Sequence, residues 1–445
     1  MSLINFLNEK IIVPVADRYM GTEVMKYYAM IKDMFSWTPD EIRTWQNQRL
    51  RELIDHAYNN TEYYKNLFDH NGLTPSDIED VHDLPKIPIL TKEDIIKSPE
   101  KFIPKNISNI KYRNVATGGS TGDPLKYRID IKSFSYVTAM RYYYLNRTGY
   151  RLGDKLLVLG GRSVFPTSKL SLKYKLYHLL SRRIFLSGVN MSDEIADQHL
   201  KILTKIKIPY IFGYTTAIYL LACRAEKRKL RFPWIKACLT TSEMLLDEYR
   251  QKIISAFECE VMDVYGAGDG GISAFESEPG IYNVGYNCIF ENENGASDNN
   301  TGNLLATDLL NYASPFIRYR IGDQVSILDP EKAIHYYNGQ VITKIWGRIS
   351  DVIKLENGHI LTGVGFATFI FSGLNIKAYR IKKVGYMHIE CDIQKTALFT
   401  KSEEDLIISA FKKQAGEECK ITMNYVEKFE PLSSGKRNYF ISNVE

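Results

Sequence analysis

The stretch Ala116-Thr117-Gly118-Gly119-Ser120-Thr121-Gly122-Asp123-Pro124 decides how this chain is read. Its glycines let backbone N–H groups converge on one concavity, while Thr117, Ser120 and Thr121 add donors that can follow a ligand. Such a loop suits the terminal phosphates of a nucleotide. Two rival patterns share these letters. Gly118 to Gly122 fits G-x-S-x-G, the strand-to-helix elbow of α/β-hydrolases. The flank Leu125-Lys126-Tyr127-Arg128-Ile129-Asp130 alternates apolar with polar residues, which predicts a strand where the elbow needs a helix. A Walker A loop requires Lys and then Ser or Thr after its last glycine, and Asp123-Pro124 stand there instead. A glycine hairpin without a ligand stays open, although an Asn-Gly or Asp-Gly pair makes such a turn more simply.

Outward from that loop, 445 residues exceed a single core and predict two or three domains. The composition, 44% hydrophobic and 24% charged, is that of a soluble globular protein without low-complexity tracts or repeats. A net charge of +5 suits a polyanionic small molecule. With no RNP, finger or helix-turn-helix signature, it does not indicate nucleic acid. Six scattered cysteines without C-x-x-C predict reduced core thiols rather than disulfides or a zinc knuckle. The short run Ile11-Ile12-Val13 is broken by Pro14 and lacks a basic flank, so no signal peptide is read. No span approaches the roughly eighteen apolar residues of a transmembrane helix, and a cytoplasmic location is expected.

Helices dominate the first hundred residues. Thr38-Pro39-Asp40-Glu41 is a capping box opening an amphipathic helix through Ile42, Trp45, Leu50, Leu53 and Ile54. Thr74-Pro75 and Thr91-Lys92-Glu93-Asp94 are expected to open two more, with Leu84 to Ile89 as an extended connector fixed by its prolines. From Lys155, apolar strands at 156–159, 210–212 and 259–265 alternate with helices at 193–205 and 245–257, an α/β pattern with a largely parallel sheet. Beyond about residue 280 hairpins follow, with strands at 302–307 and 324–328. From Gly347 the chain reads as a small α+β module with strands at 378–384 and 388–393 and a helix at 403–411.

Tyr265-Gly266-Ala267-Gly268-Asp269-Gly270-Gly271 matches G-x-G-x-x-G after an apolar strand, with Glu291 where a dinucleotide fold holds its ribose acid. Only Ile272 to Ser277 separate it from Pro279-Gly280, too short a space for the helix that fold requires. The cluster therefore reads as a strand-end loop carrying the Tyr265 ring and the Asp269 carboxylate. Further on, Ser314-Pro315-Phe316-Ile317-Arg318-Tyr319-Arg320-Ile321-Gly322-Asp323 offers alternating arginines to phosphate and a carboxylate, just past a strand, to a ribose diol. Gly347-Arg348-Ile349-Ser350-Asp351-Val352-Ile353-Lys354 is a charged turn at a domain junction, and Ser433-Ser434-Gly435-Lys436-Arg437 sets a lysine behind a flexible glycine. Taken singly, each of these also reads as a solvated turn or edge.

In order, these motifs resemble the adenylate-forming superfamily of acyl-CoA ligases over nearly the whole chain. Within it, the stretch from Trp37 to Ile95 and the form Thr-Gly-Gly-Ser-Thr-Gly-x-Pro are most similar to the phenylacetate-CoA ligase and CapK-type capsular polysaccharide biosynthesis branch. The resemblance implies an α/β fold with a large N-terminal AMP-binding domain over 1–346, in mixed sheets and helices, and a small mobile α+β lid domain over 347–445. It implies two steps: a carboxylate attacks the α-phosphate of ATP and releases pyrophosphate, then the acyl-adenylate passes to a thiol or another nucleophile. Thr117, Gly118, Gly119, Ser120, Thr121 and Gly122 would cradle the β- and γ-phosphates. Ser242 and Glu243 would line the adenine site, Tyr265, beside Gly266, would stack on adenine, and Asp323 would bind the ribose hydroxyls. Arg348 would contact the nucleotide, Asp269 would bind Mg²⁺, and Lys436 would bridge the carboxylate and α-phosphate. The attack of an anion on a polyanion is slowed by repulsion, and each such contact is worth about 3 kcal/mol in the transition state.

Three departures stand out. The metal-binding acid is usually Glu and is Asp269 here. The hinge carboxylate expected two residues after Arg348 is Ser350, with Asp351 following. Relatives that carry a Cys/His zinc cluster do so where this chain, between Glu276 and Glu291, has only Cys288, and no structural zinc is expected. Tyr214 and Gly160-Gly161-Arg162 are pocket-lining positions by analogy. The acid itself is unread, and coenzyme A, a carrier-protein pantetheine or a sugar amine could accept the acyl group. The basic, aromatic-laced run Lys169 to Arg183 could meet an acidic acceptor or a membrane surface, and a solvated helix face is the plainer reading. Two functions follow: an adenylating ligase, and a catalytically silent nucleotide-binding scaffold suggested by Asp269 and Ser350.

Overall fold

A computed structural model describes residues 2–116, 125–160, 172–188, 191, 193–293, 301–328, 337–348, 352–355, 357, 360–362, 374–427, 429 and 440–441. The strands β1 (Tyr112–Ala116) and β2 (Lys126–Asp130) pair antiparallel, Ala116 opposite Lys126, so the Thr/Ser/Gly stretch joins the two strands of a hairpin. The alternation after Pro124 is thus a strand, and the hydrolase elbow is excluded. A helix, Ile131–Arg147, follows at once, its first turn capped by Asp130, which accepts from the Lys132 N–H at 2.8 Å.

Five parallel strands come next: β3 (Leu156–Gly160), β4 (Arg183–Ser187), β5 (Tyr210–Tyr214), β6 (Ala237–Thr241) and β7 (Glu260–Tyr265), in spatial order β4-β3-β5-β6-β7. Each of β3, β5 and β6 is buried along its whole length, as a parallel sheet covered on both faces must be. On one face Val158, Phe212 and Leu239 meet Met34, Met140 and Leu145 from helices Val24–Met34 and Ile131–Arg147. On the other, Leu157, Leu159 and Ile211 meet Leu200, Leu221 and Phe257 from helices Asp193–Ile206, Thr215–Lys227 and Asp247–Phe257. Fully burying each such side chain contributes about 1.5–3 kcal/mol.

The same sheet continues antiparallel through β8 (Ala274–Glu278), β9 (Ile281–Val284), β10 (Cys288–Asn292), β11 (Thr301–Asp308), β12 (Tyr319–Leu328) and β13 (Val341–Arg348), in the order β7-β8-β9-β13-β12-β11-β10. Eleven strands therefore share one sheet among the described residues, parallel in one half and antiparallel in the other. A short pair, β14 (Val352–Lys354) with β15 (Ile360–Thr362), precedes a second sheet of β16 (Ile376–Gly385), β17 (His388–Lys395), β18 (Lys420–Tyr425) and β19 (Phe440–Ile441), ordered β18-β17-β16-β19. The helix Lys401–Ala415 packs Ile407 and Phe411 against Ile381, Ile389 and Ile393, a core separate from the others.

Local signals held where hydrogen bonds were local. Thr38 caps the helix Pro39–Asn60 with the reciprocal bond to Glu41. Thr74-Pro75 opens only one 3₁₀ turn, Pro75–Asp77. The proline connector is extended only from Ile87, because Val81–Lys86 is held as a 3₁₀ turn: the Asp83 carboxylate accepts from the Glu79 and Asp80 N–H groups. Of the six cysteines, Cys238, Cys288, Cys391 and Cys419 are buried, Cys223 and Cys259 half-buried, and all are free thiols. Among the described residues no helix is long and apolar enough to cross a membrane.

Candidate active site

Because β3, β5, β6 and β7 run in the same direction, Gly160, Tyr214, Thr241 and Tyr265 end along one edge of the sheet. In the order β4-β3-β5, the chain runs outward from β3 to β4 and then crosses back to β5, so β3 marks the topological switch point at which open α/β sheets hold their ligands. Several of the candidate residues gather there. Ser242 directly follows β6 with φ of +70°, a left-handed conformation that costs a non-glycine residue about 1 kcal/mol. The turn carries Glu243 to the first turn of the helix Thr215–Lys227. The Thr216 N–H donates to its carboxylate at 2.8 Å, and the Thr215 hydroxyl donates to its carbonyl at 3.0 Å. Tyr214, the residue before that helix, makes no side-chain cap, so Glu243 supplies it from another strand, where the helix dipole favours a negative charge.

β7 ends in Tyr265, and the glycine cluster after it forms a 3₁₀ turn, Gly268–Gly270, before β8 returns antiparallel. The cluster is thus a strand-end loop, as its short spacing predicts, and the dinucleotide reading falls. Gly271 sits at φ +60°, and a Cβ there would lie 1.9 Å from an Asp308 carboxylate oxygen, so no larger residue fits. A Cβ on Gly268 would come within 2.9 Å of the Tyr127 hydroxyl on β2. The glycine loop and the hairpin that carries Thr117 to Gly122 are therefore in close approach.

Asp323 lies inside β12 rather than just past a strand, is buried, and accepts a 2.6 Å hydrogen bond from the Tyr265 hydroxyl. Its Cα partner on β13 is Arg348. The strands β7 and β12 are four ladder steps apart, about 19 Å in a flat sheet. Their contact shows that the antiparallel half curls until β12 faces the loop after β7; Ile321 of β12 lies within 2.9 Å of a Cβ built at Gly270.

The arginines beside Asp323 are both engaged with carboxylates of the protein, Arg318 buried and Arg320 half-buried. Arg318 Nε donates to both carboxylate oxygens of Glu291, at 3.0 and 3.2 Å, and its Nη1 donates to the Ile87 carbonyl at 2.5 Å. Arg320 pairs with Glu293, Nε to Oε2 at 3.0 Å. The phosphate-binding reading of Arg318 is therefore corrected: it staples β10 and the proline connector to the start of β12, while Arg320 ties the segment just past β10 to the same strand. Glu291 is consumed in the same way, and burial pushes its carboxyl up against the opposing pull of Arg318. Arg183, read as part of a helix face, instead opens β4, half-buried and with its guanidinium against the rings of Tyr142 and Tyr177.

Two carboxylates under the site were not foreseen. Asp308 accepts from the Ser133 hydroxyl at 2.5 Å, the Leu310 N–H at 3.1 Å and the Asn287 amide at 3.3 Å, directly behind Gly271. Asp263 of β7 accepts from the Thr240 hydroxyl at 2.5 Å and the Tyr282 hydroxyl at 2.9 Å. Burial raises each to about 6. Beside Asp263, Glu276 accepts from Arg250 Nη2 at 2.6 Å and from the Asp263 N–H at 2.9 Å. The legible signal was a lone acid inside an apolar strand, Val261-Met262-Asp263-Val264 and Leu305-Ala306-Thr307-Asp308-Leu309.

Thr117 to Gly122, Ser350 and Lys436 lie outside the described residues, as do the side chains of Asp269 and Arg348. What the described residues bring together is Ser242, Glu243, Tyr265, Gly266 and Asp323 at one sheet edge, with the hairpin of the Thr/Ser/Gly stretch and the backbone of Asp269 and Arg348 beside them.

No family model matches the chain. By sequence it is similar to protein CapK of Staphylococcus aureus, 25% identical over 429 residues that span 94% of this chain and 93% of that protein. It is also similar to a phenylacetate-coenzyme A ligase of Aromatoleum evansii, 25% identical over 335 residues, 71% of this chain and 72% of that one. Among solved structures, a 2-hydroxyisobutyryl-CoA ligase in its postadenylation state, with R3-HIB-AMP bound, matches with a TM-score of 0.68 at 15% identity, over 90% of this chain and 89% of that one. An anthranilate CoA ligase in complex with anthranoyl-AMP matches with a TM-score of 0.53 at 15% identity, over 73% and 64% of the two chains. These likenesses establish the fold.

Proposed function

We propose that this chain is an AMP-forming ligase of the phenylacetate-CoA ligase and CapK branch of the adenylate-forming superfamily, which activates a carboxylic acid as its acyl-adenylate at the Tyr265–Asp323 edge and passes the acyl group to coenzyme A or another acceptor. The observation that carries this reading is the hydrogen bond between Tyr265 and Asp323, which holds an aromatic ring and a diol-binding carboxylate together at the carboxyl edge of the parallel strands. An adenosine needs a flat apolar face for its base and an anionic acceptor for its two ribose hydroxyls, and the pair offers both.

In the first step an acid carboxylate oxygen forms a bond to the α-phosphorus, and the bond to the bridging oxygen breaks with loss of pyrophosphate. The chain's part is positional and electrostatic. Asp323 and Tyr265 hold the nucleoside, Thr117 to Gly122 hold the β- and γ-phosphates, and Arg348, opposite Asp323 in register, contacts the nucleotide. Ser242 and Glu243 shape the base pocket: because Glu243 is occupied by the helix Thr215–Lys227, it fixes the turn at Ser242 rather than reaching for the ligand. Lys436, carried by the small C-terminal unit 347–445, neutralises charge between the carboxylate and the α-phosphate. Mg²⁺, taken by Asp269, would supply further charge neutralisation on the phosphates. In the second step a thiolate of coenzyme A attacks the acyl carbon and AMP leaves; a carrier-protein pantetheine or a sugar amine would use the same geometry. A place in surface polysaccharide biosynthesis, implied by the resemblance of the motifs to the CapK-type branch, is part of the same proposal.

Carboxylate-dependent ATP–pyrophosphate exchange with pooled amino, aryl, fatty and hydroxy acids tests the reading. Exchange in one pool, lost about a hundredfold in Lys436→Ala with ATP affinity retained, supports it. Silence in every pool, with ATP binding shown by calorimetry, would turn the reading to a nucleotide-binding scaffold.

A further inference from the structure

The helical run 3–20 wears its polarity inside out. It consists of Leu3–Leu7, the π turn Asn8–Ile12 and Val13–Met20 in unbroken succession, about 27 Å of helix. An amphipathic surface helix ordinarily turns its apolar stripe to the core and its polar face to water. Here the side packed on the protein carries Asn5, Asn8 and Asp17 beside Val13, all of them buried. The Asn5 amide donates to the Leu152 carbonyl at 3.1 Å and to Asp154 Oδ1 at 2.9 Å, and the Asn8 amide donates to the Leu180 carbonyl at 3.3 Å. Asp17 accepts from the Thr22 hydroxyl at 2.5 Å and the Met25 N–H at 2.8 Å. The opposite side leaves Leu3 74%, Phe6 45%, Ile11 49% and Val15 62% exposed. The bond from Asn8 ties this run to the helix Leu172–Leu180, whose Leu176, Leu179 and Leu180 are exposed as well.

Apolar side chains gathered on one exposed face mark an interaction surface, and the charges among them point to its partner. Lys10 and Arg18 stand exposed along the run, and Lys175 stands exposed on the neighbouring helix. Of the two acids in residues 3–20, Asp17 is buried and Glu9 is half-buried, 3.1 Å from Lys10. Residues 155–192 add seven Lys or Arg and no Asp or Glu. The core of a protein–protein interface is depleted of lysine. On a bilayer the same residues fit: their aliphatic stems lie along the acyl chains while their cationic heads reach the lipid phosphates.

The position of the face also suits a flat partner. Leu152 and Asp154, which receive Asn5, lead into β3, and Leu180, which receives Asn8, leads into β4. The run therefore lies at the amino ends of the parallel strands. Gly160, at the other end of β3, is about 17 Å further along. A surface seated on the run leaves the carboxyl edge, with Tyr214, Thr241 and Tyr265, turned away from it.

We propose that residues 3–20, with the adjoining helix Leu172–Leu180, form a docking surface for a bilayer containing anionic lipid. Leu3, Phe6, Ile11 and Val15 enter the boundary between headgroups and acyl chains, Lys10, Arg18 and Lys175 meet the lipid phosphates, and the nucleotide edge faces water. Docking of this kind needs neither ATP nor an acid, so it stands apart from the adenylation reading.

Co-sedimentation of the full chain with vesicles tests it. The wild type is expected to pellet with phosphatidylcholine vesicles carrying about 30% phosphatidylglycerol, and to bind phosphatidylcholine alone at least about tenfold more weakly. Raising the salt to about 0.5 M weakens binding to the anionic vesicles without abolishing it, because the apolar part is unscreened. The double variant Phe6→Glu, Val15→Glu is expected to stay in the supernatant with an unchanged thermal midpoint, since both side chains are exposed. Lys10→Gln with Arg18→Gln weakens binding to the anionic vesicles only. Leu398→Glu, at an exposed position of the small C-terminal unit, leaves binding as it was. A wild type that pellets with neither vesicle, binding that survives Phe6→Glu, Val15→Glu, or an equal loss in Leu398→Glu overturns the docking surface. A dimer in sedimentation equilibrium that the same double variant dissolves, with no vesicle binding by the wild type, would give the face to a second copy of the chain instead.

Discussion

The hydroxyl of Tyr265 lies 2.6 Å from a carboxylate oxygen of Asp323, although the two residues stand on strands separated by three others in the same sheet. That contact both closes the curl of the antiparallel half and sets the ring against the acid. Tyr265→Phe keeps the ring and removes the donor. It is expected to weaken ATP binding about tenfold, near 1.4 kcal/mol, with the fold unchanged, whereas Asp323→Ala weakens it about a hundredfold. Calorimetric titration with ATP measures both, and equal affinities for wild type and Tyr265→Phe would show that the bond does not matter to the nucleotide.

Arg318 distinguishes a staple from a phosphate contact. Arg318→Ala strands the buried carboxylate of Glu291 and frees the Ile87 carbonyl, so a loss of about 3 kcal/mol in urea unfolding is expected. A variant of normal stability with a raised KM for ATP would restore the phosphate reading of the sequence.

Gly271 is the tightest point under the loop. Gly271→Ala must find room 1.9 Å from an Asp308 oxygen at a φ of +60°, and a loss of about 3 kcal/mol is expected. Equal denaturation midpoints for variant and wild type would mean that the loop relaxes freely.

The pH dependence of stability has a definite sign at Asp308. Its carboxyl, raised by burial to about 6 from an ordinary value of 3.8, binds its proton more tightly when folded. Its contribution is therefore most favourable below about pH 4 and is lost as pH rises through about 6, by up to about 3 kcal/mol. Asp308→Asn, which cannot ionise, removes this slope. The stability of the variant relative to wild type should rise between pH 4.5 and 8 in parallel urea titrations; a flat difference would mean that Asp308 does not titrate there.

Much of this was legible because it was local. The Thr38 box, the strand after Pro124 and the loop nature of Tyr265 to Gly271 depend on residues within a few positions of one another. Among the strands not foreseen are β1, β4, β6, β8, β9, β10 and β13, because short runs such as Ala237-Cys238-Leu239-Thr240-Thr241 carry no periodicity and become strands only when neighbours accept their hydrogen bonds. The same limit misplaced Asp323 by one structural context: Gly322 beside it reads as a strand end, yet pairing with β13 extends the strand through it.

By itself the amino-acid sequence determined the elements, the order of the motifs and the chemistry their residue types allow, since propensity, capping and turn geometry act over a few residues. Only the tertiary structure decided which charges are available. Arg318 and Arg320 became staples because Glu291 and Glu293 lie on the neighbouring face of the curled sheet. Asp263 and Asp308 became buried acids because hydroxyl and amide donors converge on them from distant segments. Burial and counter-charge are properties of the packed chain, in which residues hundreds of positions apart come within hydrogen-bond reach.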